Sequence, residues 1–182
     1  MRKIIVIVAL ALTLATLTST AAGARSFGLE VGAFGGISIP VLNDLSKQGT
    51  QFGIRAPMKF LPWFSVEPFY VQSGLGDATQ TVLGIDYTRD GGDLTGFGAN
   101  AMFTSHGSVR FFPYAGLGSY TLKRAGVSDA TDLGYQVGFG VAFGLVTNLS
   151  MDVRGEALFV KTDETSQKYG NVTVGLNYTI LH

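Results

Sequence analysis

The feature that most constrains this chain is a two-residue alternation running through almost everything after residue 25, with bulk on one parity and charge or glycine on the other. The stretch from Leu133 to Leu145, LGYQVGFGVAFGL, is its barest form. Tyr135, Val137, Phe139, Val141 and Phe143 share one parity; Gly134, Gln136, Gly138, Gly140 and Gly144 share the other. Successive side chains of a strand point to opposite faces, so this run has one apolar face and one nearly bare face. Glycine is among the least favourable helix residues, which argues against a helix here. A soluble sheet gains nothing from an exterior of bare glycine.

Elsewhere the second parity carries charge. Phe27, Leu29, Val31, Ala33 and Ile37 oppose Glu30, while Phe52, Ile54, Ala56, Met58 and Phe60 oppose Arg55 and Lys59. Val66 and Tyr70 oppose Glu67, and Val109, Phe111, Ala115 and Leu117 oppose Arg110. Met151, Val153, Ala157 and Phe159 oppose Asp152, Arg154 and Glu156. Four acids and four bases therefore share one surface and sum to zero. A soluble barrel with these charges outside would have to pack every listed phenylalanine into an interior that holds one layer of side chains. The inverted arrangement, apolar outward and charged inward, fits a membrane barrel. Mutual pairing in a narrow lumen then offsets the cost of desolvating the charges.

Eight strands follow from this periodicity: Phe27–Ile37, Gln51–Phe60, Phe64–Ser73, Leu94–Thr104, Val109–Leu122, Leu133–Leu145, Leu149–Val160 and Tyr169–Leu181. Several reach the roughly 9–11 residues that a tilted strand needs to cross a bilayer. The connections LPW, SHGS and VTN are short. VLNDLSKQGT, GLGDATQTVLGIDYTRDGGD, KRAGVSDATD and KTDETSQK are long and polar. The expected fold is all-β: an eight-stranded antiparallel up-and-down transmembrane β-barrel with short periplasmic turns and long extracellular loops. Phe60, Trp63, Phe64, Phe103, Phe111, Phe143 and Tyr178 gather at the short-turn ends and are expected to form a periplasmic-side aromatic girdle. Two details disturb the pattern. Pro68 falls inside the third strand, where a bulge or irregularity is expected, and TVLGIDY within the second long connection is expected to extend strands three and four as a hairpin.

The first residues have another purpose. Arg2 and Lys3, the apolar run IIVIVALALTLATL and Ala22-Gly23-Ala24 make a signal peptide, with cleavage expected after Ala24 or, nearby, after Ala22. The expected organisation is residues 1–24 as the leader and 25–182 as one barrel domain. Without Arg2 and Lys3 the chain keeps 11 basic and 13 acidic residues, a charge of −2. Cysteine is absent, so no disulfide, thiolate metal site or acylated cysteine is expected. No basic block suggests nucleic acid.

The segments PYAGLGSYTL, LGYQVGFGVAF and NLSMDVRGEALFV resemble the fifth to seventh strands of the eight-stranded outer-membrane barrel superfamily, which includes OmpA-type transmembrane domains and opacity and OmpW-like proteins. The resemblance spans essentially the whole chain after the leader. It implies the outer membrane of a Gram-negative bacterium, contact with outer-membrane lipid and lipopolysaccharide, and extracellular ligands met through the loops. The last strand, NVTVGLNYTIL, resembles the signal read by the barrel assembly machinery, although the family commonly ends in an aromatic residue and this chain ends in His182. No counterpart of the peptidoglycan-binding domain of full-length OmpA-type proteins is expected, so the resemblance does not imply cell-wall anchoring.

Chemistry is sparse. Ser105, His106 and Ser108 share a short turn with no acid nearby, a poor triad, so no enzyme is expected. Asp152 and Glu156 flank Arg154 and are expected to form a salt-bridge ladder. Asp86, Asp90 and Asp93 lack the ordered spacing of a calcium loop, and no metal or cofactor is expected. The expected function is structural or surface interaction through the loops, with the lumen plugged by Glu30, Arg55, Lys59, Glu67, Arg110, Asp152, Arg154 and Glu156. A small pore for ions or hydrophobic molecules is the alternative, and a lipid-modifying enzyme a distant third.

Overall fold

A computed structural model of the chain describes residues 27–41, 47–82, 85–89, 91–123, 129–161 and 166–181. The expected leader and His182 lie outside the described residues. The strands are β1 (Gly28–Val41), β2 (Lys47–Arg55), β3 (Met58–Leu61), β4 (Phe64–Gly76), β5 (Ala78–Val82), β6 (Ile85–Arg89), β7 (Asp93–Phe103), β8 (Val109–Lys123), β9 (Ala130–Val146), β10 (Leu149–Lys161) and β11 (Ser166–Leu181). β2 and β3 together fill one position between β1 and β4, so the wall has eight staves. β1 pairs antiparallel with β11, from Val41 opposite Lys168 to Leu29 opposite Leu181, and this closes the sheet. Closure removes the unpaired edge that a bilayer could not tolerate. β5 and β6 pair as a separate two-stranded sheet, from Ala78 opposite Arg89 to Val82 opposite Ile85, where the sequence is expected to extend strands three and four.

The interruption between β2 and β3 has a local cause. Arg55 lies opposite Phe69 and Met58 opposite Val66, so the register is unbroken across the gap. Pro57 and Pro68 sit in this zone, and neither has an N–H for the ladder. The backbone still closes around them: Ala56 N–H donates to the Pro68 carbonyl and Glu30 N–H to the Pro57 carbonyl, each at 2.9 Å. The irregularity expected at Pro68 thus falls in the facing strand, while β4 runs straight through its proline.

Parity sorts the faces. Phe52, Ile54, Leu117, Leu133, Val137 and Phe139 all stand exposed on the outer surface. In water such a continuous apolar exterior would aggregate; in hydrocarbon it is the matching surface. Met58 shares this parity but is buried, lying between Leu29 and Val66 in the ladder.

The core is inside the barrel and more aromatic than its sequence parity suggests. Towards the long connections, Phe69, Leu75, Leu94, Tyr120, Leu158, Val160 and Tyr169 form one cluster; Met102, Phe112, Tyr114 and Ala142 form another. The bare glycine face of β9 makes room for these aromatic side chains, and not for the long charged ones of other strands. Gly138 lies opposite Tyr114 and Gly140 opposite Phe112. A Cβ on Gly138 would fall 2.5 Å from the Tyr114 hydroxyl, and one on Gly134 would fall 2.6 Å from the Tyr120 ring. The bare strand is the floor on which the inward aromatics of β8 lie. Among the glycines of β9 and β11, Gly175 is the one whose added Cβ would meet a guanidinium, that of Arg55.

Candidate functional site

The inner faces of β2, β4 and β10 bring Arg55, Glu67, Asp152 and Arg154 to the middle of the lumen. Arg154 donates from Nη1 and Nη2 to both Glu67 oxygens at 2.7 and 2.8 Å, a two-pronged pair. Arg55 Nη2 donates to both Asp152 oxygens at 2.8 and 2.7 Å. Cross-links join the pairs: Arg154 Nε donates to Asp152 at 3.2 Å, and Arg55 Nε lies 3.9 Å from Glu67. All four are buried. Two positive and two negative groups make the quartet neutral.

Amides and rings complete the cluster. Asn177 Nδ2 donates to Asp152 at 2.7 Å and accepts from Arg55 Nε at 3.0 Å; Asn100 Nδ2 donates to Glu67 at 3.0 Å. From Asn100 the network continues outward, since Gln136 donates to Asn100 and Tyr120 O–H donates to Gln136, each at 2.6 Å. The Arg154 guanidinium lies 4.9 Å from the Phe112 ring centre and 5.4 Å from that of Tyr114, and Arg55 lies 5.1 Å from Phe34. Cation–ring attraction of this kind strengthens when the site is dry. Gln136 is marked by its inward parity among glycines, whereas Phe112, Tyr114, Asn100 and Asn177 are not singled out by the sequence. Their inward parity was the available signal, but they carry no charge to draw attention.

Glu156 departs from the expected ladder. Asp152 and Arg154 are bonded, but the Glu156 carboxylate accepts from Tyr114 O–H at 2.9 Å and Asn171 Nδ2 at 2.8 Å, with no ion pair among the described residues. Neighbouring inward residues of one strand stand about two rises apart along it. Arg154 leans towards Asp152 and Glu67, which leaves Glu156 to neutral donors on β8 and β11.

A second group lies nearer the short turns. Lys59 donates to Glu30, and Arg110 Nη1 stands 3.9 Å from the same carboxylate. The quartet separates two small cavities of about 30 Å³ each. One is lined by Glu67, Tyr120, Gln136 and Glu156, the other by Glu30, Lys59, Arg110 and Asp152; Arg154 lines both. Each has room for a water or two.

The aromatic residues of the short-turn end are grouped on the outside. Trp63 stacks on Phe103 with ring centres 6.0 Å apart, and Phe64 packs against both, at 5.9 Å from Trp63 and 5.6 Å from Phe103. Phe60 meets Phe27 edge-on at 5.8 Å, and Phe111 stacks on Phe139 at 6.1 Å. Phe143 lies beside Val109 and Tyr178 beside Val31 in the ladder. A second pair, Tyr135 stacked on Phe159 at 5.0 Å, stands outward near the long-connection end, where the sequence reading placed no girdle.

The turn holding Ser105, His106 and Ser108 contains no acid. Ser105 Oγ accepts the Phe111 N–H at 2.8 Å, a structural bond. Of the three loop aspartates, Asp90 and the Asp86 side chain lie outside the described residues, and Asp93 ends β7. Charge elsewhere partitions cleanly. After residue 25 the lumen holds four acids and four bases, and the four long connections with their flanking strand ends hold nine acids and six bases.

The model of the outer membrane protein beta-barrel domain family matches residues 7–179 of the chain. Among solved structures, Neisserial surface protein A is similar at 19% identity with a TM-score of 0.61, over 86% of this chain and 99% of that one. The N-terminal barrel of Pseudomonas aeruginosa OprF is similar at 14% identity and a TM-score of 0.53, over 83% and 97%. Ail, the attachment invasion locus protein of Yersinia pestis, is similar at 18% identity and a TM-score of 0.51, over 86% and 99%. At such identities the likeness is one of fold. No curated protein sequence matches the chain.

Proposed function

The chain belongs to the outer membrane protein beta-barrel domain family, and on that premise we propose that it is a closed stem that holds four polar connections at the cell surface for interaction. The observation that carries this reading is the neutral Arg55–Glu67–Asp152–Arg154 quartet, which fills the lumen between two cavities of about 30 Å³. A hydrated ion needs a continuous wet lane, and the side chains here are committed to one another. The barrel is embedded in outer-membrane lipid with lipopolysaccharide as its outer-leaflet neighbour, and NVTVGLNYTIL is the strand offered to the barrel assembly machinery. We assign no catalytic role, metal or cofactor.

The loop charge narrows the kind of partner. Ail is known in complex with the heparin analogue sucrose octasulfate. The long connections here carry nine acids against six bases, a balance that disfavours polyanions and leaves neutral or basic surfaces as the better fit.

The test is electrical. Pure protein in planar bilayers is expected to give no steady unitary conductance, whereas a reproducible open level would replace this reading with the pore. In parallel, shortening the second long connection by residues 80–88 is expected to change binding to other cells while leaving the heat-modifiable gel shift of the folded barrel intact. Unchanged binding after each of the four loops is shortened in turn would remove the surface role.

A further inference from the structure

The lumen charges do not balance at every level. The central quartet is neutral, but at the short-turn mouth Lys59 and Arg110 both converge on the single carboxylate of Glu30. Arg110 does so only at 3.9 Å, and its side chain is 25% exposed; that of Lys59 is 33% exposed. Beside them is a cleft of about 180 Å³, lined by Lys59, Arg110, Ser65, Thr104, Ser105 and His106, with Leu61, Pro62 and Phe64 on its apolar wall. That volume is several times a water's share of about 30 Å³.

The cleft is built from two turns fastened together. Thr104 N–H donates to the Trp63 carbonyl, and Ser105 N–H donates to the Phe111 carbonyl, each at 2.9 Å. Gly107, at φ +126°, takes a backbone conformation that other residues rarely adopt and lets the turn close. Because Ser105 Oγ accepts the Phe111 N–H, its own hydroxyl proton is free to donate elsewhere. Excess positive charge, hydroxyl donors and a fixed frame together suit a tetrahedral oxyanion.

Position supplies the source of that anion. Trp63, Phe64 and Phe103 form the stacked group at this same end, and such aromatic residues sit at headgroup level in a bilayer. We propose that this mouth is a binding site for the phosphate of a lipid headgroup in the leaflet that the short turns face. Lys59 and Arg110 hold the phosphate oxygens, Ser105 donates a hydrogen bond, and the Leu61–Pro62–Phe64 wall lies against the glycerol and upper acyl chain. The site is at the opposite end from the loops and independent of what they bind.

The chain has one tryptophan, Trp63, which reports on the neighbouring turn. The barrel is refolded in lauryldimethylamine oxide, a detergent without phosphate, and titrated with short-chain phosphatidylglycerol while Trp63 emission is followed. A saturable change is expected. Replacing Lys59 and Arg110 alone would strand Glu30 in a buried position, so the E30Q/K59Q/R110Q variant, which leaves no charge at the mouth, is used, with heat modifiability as the check on folding. Its affinity is expected to fall at least about tenfold, the loss of one to two charge-assisted bonds. K123Q, which alters a solvent-exposed pair with Asp129 at the other end, should bind like the parent chain. A non-saturable response, equal affinity in the triple variant, or equal affinity for a short-chain diacylglycerol lacking phosphate would overturn the site. Equal affinity for inorganic phosphate would overturn the lipid as its source.

Discussion

In the middle of the lumen the filling is ionic, with Arg55, Glu67, Asp152 and Arg154; towards the long connections it is apolar, with Leu94, Tyr120, Leu158, Val160 and Tyr169. Both parts fill the lumen, but they are held by different means. The apolar half is held by burial, which has no direction and falls off gradually as atoms are removed. The ionic half is held by pairing, where each partner compensates the desolvation of the other and the loss of one leaves a buried charge alone. Tyr120 and Gln136 join the halves, since the Tyr120 ring packs in the apolar cluster while its hydroxyl ends the chain that runs through Gln136 and Asn100 to Glu67. A lumen of this kind is a mixed core, soft towards the long connections and all-or-none in the middle.

The largest effect should come from breaking the all-or-none part. Arg154→Met removes both bonds to Glu67 and the link to Asp152 while keeping much of the side-chain volume. It is expected to cost about 3–5 kcal/mol, the usual penalty for stranding a buried charge. Urea titration of the folded fraction, read from the heat-modifiable band, measures it. Adding Glu67→Met should restore the larger part, because the remaining Arg55–Asp152 pair is neutral. A single variant that unfolds no more easily than the double would mean that water already reaches the quartet, and the contrast between the halves would fail.

The same contrast explains what could be read in the sequence. A strand offers only two directions, so parity alone separates Glu30, Arg55, Glu67 and Arg154 from Phe52, Ile54 and Leu117. The partner of each charge is set by the stagger of strands distant in sequence, such as β4 and β10, and no local pattern carries that stagger. Thus a ladder along β10 was the natural expectation, yet Glu156 turns to Tyr114 and Asn171. The aromatic half was hidden for a related reason. Phe112, Tyr114 and Tyr120 fit only because glycines of neighbouring strands face them, and that complementarity exists across the ladder alone. Apolar alternation begins at Leu133 and Tyr169, but β9 begins at Ala130 and β11 at Ser166. Beyond the hydrocarbon the ladder continues, held by backbone pairing and by polar pairs such as Thr121 with Thr131 at 2.9 Å, without needing lipid-facing bulk.

The glycine floor gives an intermediate effect. Gly140→Val drives its Cβ into the Phe112 ring, which itself lies against Arg154, so overpacking of about 1–3 kcal/mol is expected in the same urea assay. Combining it with Phe112→Leu should recover part of the loss, and this non-additivity identifies the shared space. Gly144→Ala is the matched control. A Cβ there meets nothing within 4 Å, and the change should stay within about 0.5 kcal/mol. If Gly144→Ala were as costly as Gly140→Val, the loss would belong to strand backbone and not to the space under β8.

The smallest effect tests the joint between the halves. Tyr120→Phe keeps the ring that fills the space left by Gly96, Gly118 and Gly134 and removes only the hydroxyl that donates to Gln136 at 2.6 Å. Burial is retained, so the graded half loses almost nothing. The loss comes from the Gln136 carbonyl oxygen left without that donor, about 1–2 kcal/mol in the urea titration. It should be insensitive to added salt, because both partners are neutral. If Tyr120→Phe instead matched the penalty of Arg154→Met, the hydroxyl would be holding the quartet in place through Gln136 and Asn100, and the two halves would be one cooperative network. If it cost nothing, Gln136 would have found another donor, and the ionic half would end at Asn100.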